Sequence, residues 1–296
     1  MNPQVRLKTS RFGARHPLYP RSGFGAVHAR EVATELTRLG IRASRGLGQH
    51  FLIDERVARR QVERAELRGD ETVLEVGPGI GVLTRILADR AGRVVAIEKD
   101  RRLAEALAGI GPRVEVVRGD ALRVEWPPFD VMVSNLPYRI SSPVTFKLLD
   151  QVFDRAVLMF QREFADRIVA KPGTKDYSRL TVSVAHRAGG EILERVPRSA
   201  FHPQPRVDSA VVRLVRRDPP YRLADEAIFH AVVGACFQHR RKTIRNALEL
   251  EWRRFDDDRE AWQRRIPALP FLSRRAEALA PEDFATLANG IAGAKG

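Results

Sequence analysis

The stretch Glu71–Gly81, ETVLEVGPGIG, decides the fold of this chain of 296 residues. Its first half, ETVLEV, is typical of a buried strand, and the glycine-rich GPGIG follows at once. The next segment, 82–90, places apolar side chains at helical spacing. A strand, a glycine turn and a helix in this order form the first unit of a doubly wound α/β sheet. Glycines in such a turn let a ligand approach the backbone closely.

Each of the following predicted strands also leads into a polar or glycine-containing element. The strands predicted over 93–97, 114–117 and 129–133 lead into Glu98, Gly119-Asp120-Ala121 and Asn135, respectively. Ligands of open α/β sheets bind at the carboxyl ends of the strands, so these residues predict one site together with Gly77 and Gly79. Glu98 follows the glycine loop by about 20 positions, where an acidic residue binds ribose hydroxyls in nucleotide-binding folds.

The charges around this predicted site indicate which cofactor it binds. The glycine loop by itself fits NAD, FAD or S-adenosylmethionine. Glu75, Glu98 and Asp120 would surround the ligand with carboxylates, which favour a cation. S-adenosylmethionine carries a sulfonium cation, whereas NAD and FAD carry a pyrophosphate. The sequence therefore favours S-adenosyl-L-methionine, and a dehydrogenase is the weakest enzyme alternative.

The segment Ser134-Asn135-Leu136-Pro137-Tyr138 indicates the reaction. It matches the (N/D)-x-P-(Y/F) pattern of enzymes that methylate an exocyclic amine of a base. Such an amine is a poor nucleophile because its lone pair is delocalised, so catalysis requires acceptors for its N–H groups. The side chain of Asn135 and a carbonyl of Leu136 or Pro137 are the candidate acceptors, and Tyr138 offers a flat face on which a base can stack.

From about Ser44 to about Leu248 the chain resembles the small-subunit ribosomal RNA adenine dimethyltransferases, relatives of the erythromycin-resistance methyltransferases that act on large-subunit RNA. The resemblance implies a class I S-adenosylmethionine-dependent methyltransferase fold with a small all-helical C-terminal domain. It rests on these blocks: Leu47–Asp54, Glu75–Gly81, Glu98, Gly119–Leu122, Asn135–Pro143, Gln161–Ala165, Pro172–Lys175, Tyr177–Leu180 and Phe201–Ala210.

The same resemblance implies the roles of individual residues. Cofactor contacts are implied at Gln49, His50, Leu52, Gly77, Gly79, Glu98, Asp120, Ala121 and Asn135. The family more often has Asn where this chain has His50, and either side chain forms hydrogen bonds. Phe201 is implied as a second aromatic face, opposite Tyr138, for an adenine extruded from its stack.

The implied substrate is a pair of adjacent adenines in the hairpin loop near the 3′ end of small-subunit rRNA, within a pre-30S-type ribosomal particle. The continuation Arg139–Pro143 after the Asn-Leu-Pro-Tyr segment favours this branch. Two alternatives remain open: methylation of large-subunit RNA as in macrolide resistance, and a ribosome-assembly factor that binds RNA without catalysis.

The composition fits a nucleic-acid partner. Lys and Arg number 51 against 37 Asp and Glu, a net charge of +14, and the sequence pI is near 10.8. The single cysteine, Cys236, excludes an internal disulfide, and no spacing of His, Asp or Glu indicates a metal site. The sequence contains no run of apolar residues long enough to cross a membrane. We therefore expect a cytoplasmic monomer.

Composition shifts predict three segments: a basic N-terminal extension over 1–44, a Rossmann-like methyltransferase domain over 45–216, and a helical rRNA-binding domain over 217–296. The extension has three interpretations: an RNA-binding arm, a transit peptide, or residues upstream of the true start. We expect a short helix over 31–39 within it. In the third segment, helical periodicity over 228–250 predicts a helix with a basic cluster for phosphate contacts: Arg240, Arg241, Lys242 and Arg245.

Overall fold

A computed structural model describes residues 5–7, 29–41 and 50–293 of the chain. The described residues fall into two compact units. The first contains the residues up to Ala165 and the segment Glu191–Arg216, and the second contains Asp166–Gly190 and the residues from Arg217 onwards.

Strands are numbered in chain order. They are β1 (Val5–Leu7), β2 (Phe51–Leu52), β3 (Thr72–Val76), β4 (Arg93–Glu98), β5 (Val114–Arg118), β6 (Val131–Asn135), β7 (Arg155–Gln161), β8 (Ala188–Val196), β9 (Phe201–His202) and β10 (Ser209–Arg216). The helices are α1 (Ala29–Arg38), α2 (Glu55–Glu63), α3 (Val82–Arg90), α4 (Arg101–Leu107), α5 (Ser141–Leu149), α6 (Arg162–Ile168), α7 (Arg179–Arg187), α8 (Glu226–Gln238), α9 (Ile244–Leu250), α10 (Arg259–Arg265) and α11 (Pro281–Gly293).

An eight-stranded sheet in the order β1-β5-β4-β3-β6-β7-β10-β8 carries the fold. The strands from β3 to β7 pair in parallel, while β1 and β10 pair antiparallel with β5 and β7. β3 pairs with both β4 and β6, so the strand order reverses there and opens a crevice at the carboxyl ends of the strands. The predicted doubly wound sheet is confirmed, and α3 has the bounds predicted for the helix after the glycine loop.

The strand predicted over 129–133 lies two residues later, over Val131–Asn135. Asn135 is therefore the last residue of β6, and its backbone is held in register opposite Met159 of β7. The candidate catalytic side chain consequently projects from the sheet edge rather than from a loop.

The N-terminal extension predicted over 1–44 is not a separate segment where the structure describes its side chains. The predicted helix over 31–39 is present as α1, and the side chains of Val32, Leu36 and Ile41 are buried in the core of the first unit. An amphipathic helix gains its stability by burying its apolar face, and here that face packs into the first unit. Most of the predicted basic arm, over 1–4, 8–28 and 42–44, lies outside the described residues.

The second unit is helical and has its own core, which includes Phe229, Trp262 and Phe284. Residues 166–190, which the sequence analysis placed in the methyltransferase domain, belong to this unit because Tyr177 and Val182 are part of that core. Among the described residues, no helix is long and apolar enough to cross a membrane.

The helix predicted over 228–250 is divided in two. α8 ends at Gln238, and the side chain of Thr243 caps α9 by accepting a hydrogen bond from the N–H of Asn246 at 3.4 Å. Arg240, Arg241 and Lys242 therefore lie in the intervening turn rather than on a helix. Cys236 is buried in α8, and burial raises the pKa of its thiol to about 12.

Candidate active site

A cavity of about 760 Å³ lies at the carboxyl ends of β3, β4, β5 and β6 in the first unit. It collects residues that are far apart in the sequence. The predicted site residues that line it are His50, Leu52, Gly77, Gly79, Glu98, Asp120, Ala121, Asn135, Leu136, Pro137, Tyr138 and Phe201. Gln49 lies outside the described residues.

The glycine loop and the Asn-Leu-Pro-Tyr segment contact each other. Gly77 has a φ of +70°, and a Cβ at this position would lie 2.9 Å from Cδ of Pro137. Gly79, with a φ of +59°, would place a Cβ 3.1 Å from the ring of Phe51. Both positions therefore require glycine for their backbone conformation and for close packing. This packing forms the cavity wall that joins the two motifs.

Glu98 ends β4 with its carboxylate buried beneath the glycine loop. The oxygen Oε2 accepts a hydrogen bond from the N–H of Gly79 at 3.3 Å, and Oε1 accepts one from the N–H of Asp100 at 2.8 Å. Burial raises the pKa of this carboxyl, while the two backbone donors favour its ionised form. Glu98 therefore fixes the loop and presents acceptor oxygens at the cavity.

Glu75 of β3 is a second buried carboxyl on the cavity wall. Its Oε2 atom has no hydrogen-bond partner among the residues that the structure describes. Burial raises the pKa of Glu75 to about 8, and the neighbouring charge of Glu98 acts in the same direction. At neutral pH this carboxyl is therefore largely protonated, and a cation in the cavity would favour its ionised form.

Asp120 lies at the start of the turn that follows β5. Its Oδ2 atom is 2.9 Å from Nζ of Lys99, and Oδ1 accepts a hydrogen bond from the N–H of Leu122 at 3.0 Å. The hydrogen bond from Lys99 lowers the pKa of Asp120, so this carboxylate is ionised at neutral pH. Asp120 thus places a fixed negative charge at the exposed rim of the cavity.

The end of β6 is held from two sides, which fixes the direction of Asn135. The hydroxyl of Ser134 accepts a hydrogen bond from the N–H of Val76 at 2.9 Å. The carbonyl of Ser134 accepts one from Nε2 of Gln61 at 3.1 Å. Within the described part of the chain, the side-chain amide of Asn135 has no hydrogen-bond partner, so its oxygen can accept one from a ligand.

The backbone geometry distinguishes the two candidate carbonyl acceptors. The carbonyl of Pro137 accepts a hydrogen bond from the N–H of Ile140 at 3.0 Å and closes the short turn 138–140. The carbonyl of Leu136 has no such partner among the described backbone donors. Leu136 therefore supplies the carbonyl better suited to a ligand amine.

Tyr138 is held at its hydroxyl and at its ring. Its hydroxyl lies 2.6 Å from Oγ of Ser209, the fully buried first residue of β10. The ring centroids of Tyr138 and His50 are 5.5 Å apart, and Nδ1 of His50 lies 2.7 Å from the carbonyl oxygen of Pro203. Phe201, also on the cavity wall, is held by pairing of β9 with β2 opposite Leu52.

Ser209 is a site residue that the sequence analysis did not assign. It belongs to the block Phe201–Ala210, which carried the resemblance, but no spacing relates it to Tyr138, which lies 71 positions earlier. The two hydroxyls meet because β10 pairs with β7 and β7 pairs with β6, the strand that leads to Tyr138.

Comparison with known proteins agrees with this site. Residues 41–263 match the family model described as ribosomal RNA adenine dimethylase. A Thermococcus kodakarensis protein named probable ribosomal RNA small subunit methyltransferase A is 50% identical over 252 residues, covering 83% of this chain and 89% of that protein. This chain belongs to the ribosomal RNA adenine dimethylase family. It is therefore an rRNA adenine dimethyltransferase.

Two solved structures of related enzymes share the fold. A dimethyladenosine transferase from Plasmodium falciparum has a TM-score of 0.69 at 29% identity and covers 80% of this chain and 96% of its own. The 23S rRNA methyltransferase ErmE has a TM-score of 0.59 at 35% identity and covers 81% of this chain and 99% of its own. The fold is that of the class I methyltransferases.

The predicted basic cluster is only partly available to a ligand. Arg240 donates a hydrogen bond through Nε to Glu277 at 3.0 Å and another to the carbonyl of Thr174 at 3.4 Å. Arg241, Lys242 and Arg245 are exposed, and none of them forms an ion pair within the described residues. Arg240 therefore stabilises the second unit, while the other three present free charges.

One group in the second unit has the donor set of a metal site, although the sequence indicated none. His186, Glu226 and His230 place ligand atoms within 4.8 Å of one another. However, Arg187 forms an ion pair with the same Glu226 oxygen that contacts His186. A divalent cation at this oxygen would be repelled by the guanidinium, so we interpret the group as an ion-pair network between α7 and α8.

Replacing Glu75 with Gln should alter how stability depends on pH. The wild-type carboxyl stays protonated up to about pH 8 when folded, whereas it ionises near its ordinary pKa when unfolded. The unfolded state then binds fewer protons, so this group lowers wild-type stability as pH rises from about 5 to 8. Gln cannot ionise. The free energy of unfolding of the variant, relative to that of wild type, should therefore rise by up to about 1.4 kcal/mol per pH unit in this range.

Urea unfolding at pH 5, 6.5 and 8 measures this difference. Glu63→Gln on α2 is the matched control, because Glu63 is exposed, and its difference from wild type should stay constant. A constant difference for Glu75→Gln as well would show that the buried carboxyl ionises normally.

Proposed function

We propose that this enzyme transfers methyl groups from S-adenosyl-L-methionine to the N6 amines of two adjacent adenines in the 3′-terminal hairpin loop of small-subunit rRNA. The observation that carries the proposal is the single cavity that joins the acidic glycine-loop cradle to Asn135, Leu136 and Tyr138. The small-subunit target is supported by 50% identity to the T. kodakarensis small-subunit methyltransferase against 35% to the 23S rRNA enzyme.

The cradle fits the proposed cofactor in shape and charge. Gly77 and Gly79 line the cavity, and the space that their side chains would need is filled by Pro137 and Phe51, so the loop presents its backbone to a ligand. The carboxyl of Glu98 faces the cavity where ribose hydroxyls would bind, and the unpartnered oxygen of Glu75 suits a cation. Bound here, S-adenosylmethionine supplies a methyl group activated by its positive sulfur.

The acceptors at the end of β6 orient the amine. We assign the side-chain oxygen of Asn135 and the carbonyl of Leu136 as acceptors for the N–H groups of the adenine amine. These hydrogen bonds draw the amine nitrogen out of the plane of the adenine ring, so that its lone pair points towards the methyl donor. Positioning in a desolvated cavity supplies most of the rate, and no strong base is required, because the amine loses its proton after positive charge develops.

The aromatic side chains hold the base outside its stack. Enzymes that act on a base extrude it from the helix or bind it in a single-stranded loop. We assign Tyr138 and Phe201 as the flanking faces, with His50 and Leu52 beside them on the cavity wall. The monomethylated amine keeps one N–H, so a second transfer uses the same acceptors.

The second unit contributes charges for the ribosomal partner. We assign Arg241, Lys242 and Arg245 as phosphate contacts to a pre-30S-type particle in the cytoplasm, with the enzyme acting as a monomer. Arg240 contributes to this surface only indirectly, because Glu277 holds its guanidinium.

The functional test is methyl transfer to unmethylated small ribosomal subunits, with mass spectrometry of the modified RNA fragment. We expect N6,N6-dimethyladenine at two neighbouring positions near the 3′ end. Asn135→Ala should lower the transfer rate by about 100-fold or more, because one acceptor for the amine is lost, and should leave RNA binding largely intact.

Other outcomes of this test would favour a large-subunit methyltransferase or an assembly factor. Transfer only to large-subunit RNA would assign the enzyme to the resistance branch. Cofactor binding without transfer to either subunit would favour an assembly factor. Normal transfer by Asn135→Ala would contradict the proposed mechanism.

Lys147 of α5 should support the cofactor site through Asp120. Its Nζ atom donates hydrogen bonds to the carbonyls of Ala121 at 2.9 Å and Val124 at 2.6 Å, and Nε1 of Trp126 donates to the same Ala121 carbonyl at 2.9 Å. Lys147→Met releases the turn that presents Asp120. We therefore expect about tenfold weaker binding of S-adenosylmethionine by calorimetry, with kcat at saturating cofactor little changed.

A double-mutant cycle tests whether the effect passes through this turn. Lys147→Met and Trp126→Phe share one carbonyl acceptor, so their effects on cofactor affinity should not add. Lys175→Met, at an exposed lysine of the second unit, is the control and should leave affinity unchanged. Additive effects would show that Lys147 acts elsewhere.

The basic cluster of the second unit should contribute to the affinity for ribosomal particles. Changing Arg241, Lys242 and Arg245 together to Gln removes three exposed charges, so the salt dependence of binding to small subunits should become shallower. Sedimentation binding at 50 and 200 mM salt measures this. Arg222→Gln, which alters an exposed arginine of the same unit, is the control. An equal effect of this change would show that the cluster contributes only through overall charge and not as a specific site.

A further inference from the structure

Three exposed arginines of the first unit converge on one residue, Asp208. The backbone N–H of Arg162 donates to the carbonyl of Asp208 at 2.9 Å. The backbone N–H of Arg198 donates to Oδ1 of Asp208, also at 2.9 Å. Arg206 lies two positions before Asp208 on the same loop. The start of α6 thus meets the segment 198–208, which is more than 30 positions later in the sequence.

This point is directly connected to the base-binding side of the cavity. Asp208 precedes Ser209, whose hydroxyl lies 2.6 Å from the hydroxyl of Tyr138. The short turn that begins at Arg198 leads directly into Phe201. The segments that carry Arg198 and Arg206 are therefore the segments that hold the two aromatic faces, and Arg162 joins them through its backbone bond to Asp208.

The three guanidinium groups are available for a ligand. Within the described residues, no ion pair joins any of them to an acidic side chain. Acidic residues also adjoin these arginines in the chain: Glu163 follows Arg162, Asp166 lies four positions after Arg162 on α6, and Asp208 accepts the Arg198 N–H through one oxygen.

We propose that Arg162, Arg198 and Arg206 form a phosphate clamp that binds the RNA backbone on either side of the target adenine. A base that enters the cavity leaves its flanking phosphates at the cavity mouth. Arginine suits phosphate because its planar guanidinium donates paired hydrogen bonds. The clamp carries no sequence information and sets the register of the strand, so that the adenine lies between Tyr138 and Phe201. This inference rests on the proposed RNA substrate.

The three arginines belong to blocks that carried the resemblance or adjoin them, and the cofactor and amine sites leave them without a role. Arg162 is in Gln161–Ala165, Arg206 is in Phe201–Ala210, and Arg198 lies just before the latter. A role at the RNA backbone explains why cationic side chains flank the base-binding side.

The test changes all three arginines to Gln and compares the variant with wild type in the full-length protein. The probes are a fluorescent RNA hairpin with two adjacent adenines in its loop and unmethylated small subunits. Each single-strand phosphate contact contributes about 0.7 to the slope of log affinity against log salt, so the variant should lose about 2 from this slope. KM for RNA should rise tenfold or more, while kcat and cofactor affinity stay unchanged.

Two controls separate charge from structure. The triple change to Lys keeps the charges and should keep the salt slope. Arg90→Gln alters an exposed arginine at the end of α3, just before the amino end of β4, and should leave slope and KM unchanged. If the triple Gln variant does not fold, the single changes at Arg198 and Arg206 should each reduce the slope by about 0.7.

An unchanged salt slope and KM would overturn the clamp, even if kcat fell, because a loss of kcat alone would show that the arginines only support the rings. An equal change of salt slope and KM with Arg90→Gln would also overturn the clamp, because it would indicate a general electrostatic attraction between the protein and RNA. Tighter binding of an acidic peptide than of RNA, abolished by the same changes, would assign the surface to a protein partner. Failure of wild type to methylate either subunit would refute the proposed function instead, while the hairpin binding slopes would still decide on the clamp.

Discussion

The close contact between Gly77 and Pro137 is the constraint on which the active site depends. A side chain at Gly77 would occupy the position of the proline ring. Its absence lets the end of β3 and the end of β6 meet where the strand order of the sheet reverses. The glycine therefore does more than permit a turn. It sets the separation between the proposed cofactor cradle and the acceptors for the amine, which methyl transfer requires to be short.

The acidic cavity is the second consequence of this arrangement. Glu98 ends β4 and is stabilised by two backbone donors, one of which belongs to the glycine loop. Glu75 lies on β3 itself, and its Oε2 atom has no hydrogen-bond partner among the described residues. Two carboxyls in one desolvated space cannot both ionise freely. The fold tolerates the protonated Glu75, and a cationic ligand would supply the compensation that the protein lacks.

The sequence was most informative where local signals coincide with tertiary structure. The strand, glycine turn and α3 were predictable because turn chemistry and apolar periodicity agree within one short stretch. The break between α8 and α9 was not, because the apolar pattern continues through the turn and only the cap at Thr243 reveals the new start. Residues 166–190 were misplaced because their role is decided by Tyr177 packing into a core formed much later in the chain. Ser209 was missed because strand pairing, not spacing, brings it to Tyr138.

The two halves of the site consequently have separate supports. The proposed cofactor side is built from β3, β4 and β5 and the turns that directly follow them, so it forms from contacts close in sequence. The proposed base-binding side relies on β2, β9 and β10, and its aromatic residues are held by partners about 70 to 150 positions away, such as Ser209 for Tyr138 and Pro203 for His50. Non-local contacts of this kind form only when the sheet is complete. Changes in β9 or β10 should therefore impair the binding of the base while the cradle for the cofactor stays intact, and this separation lets RNA recognition vary on an unchanged methyl-transfer scaffold.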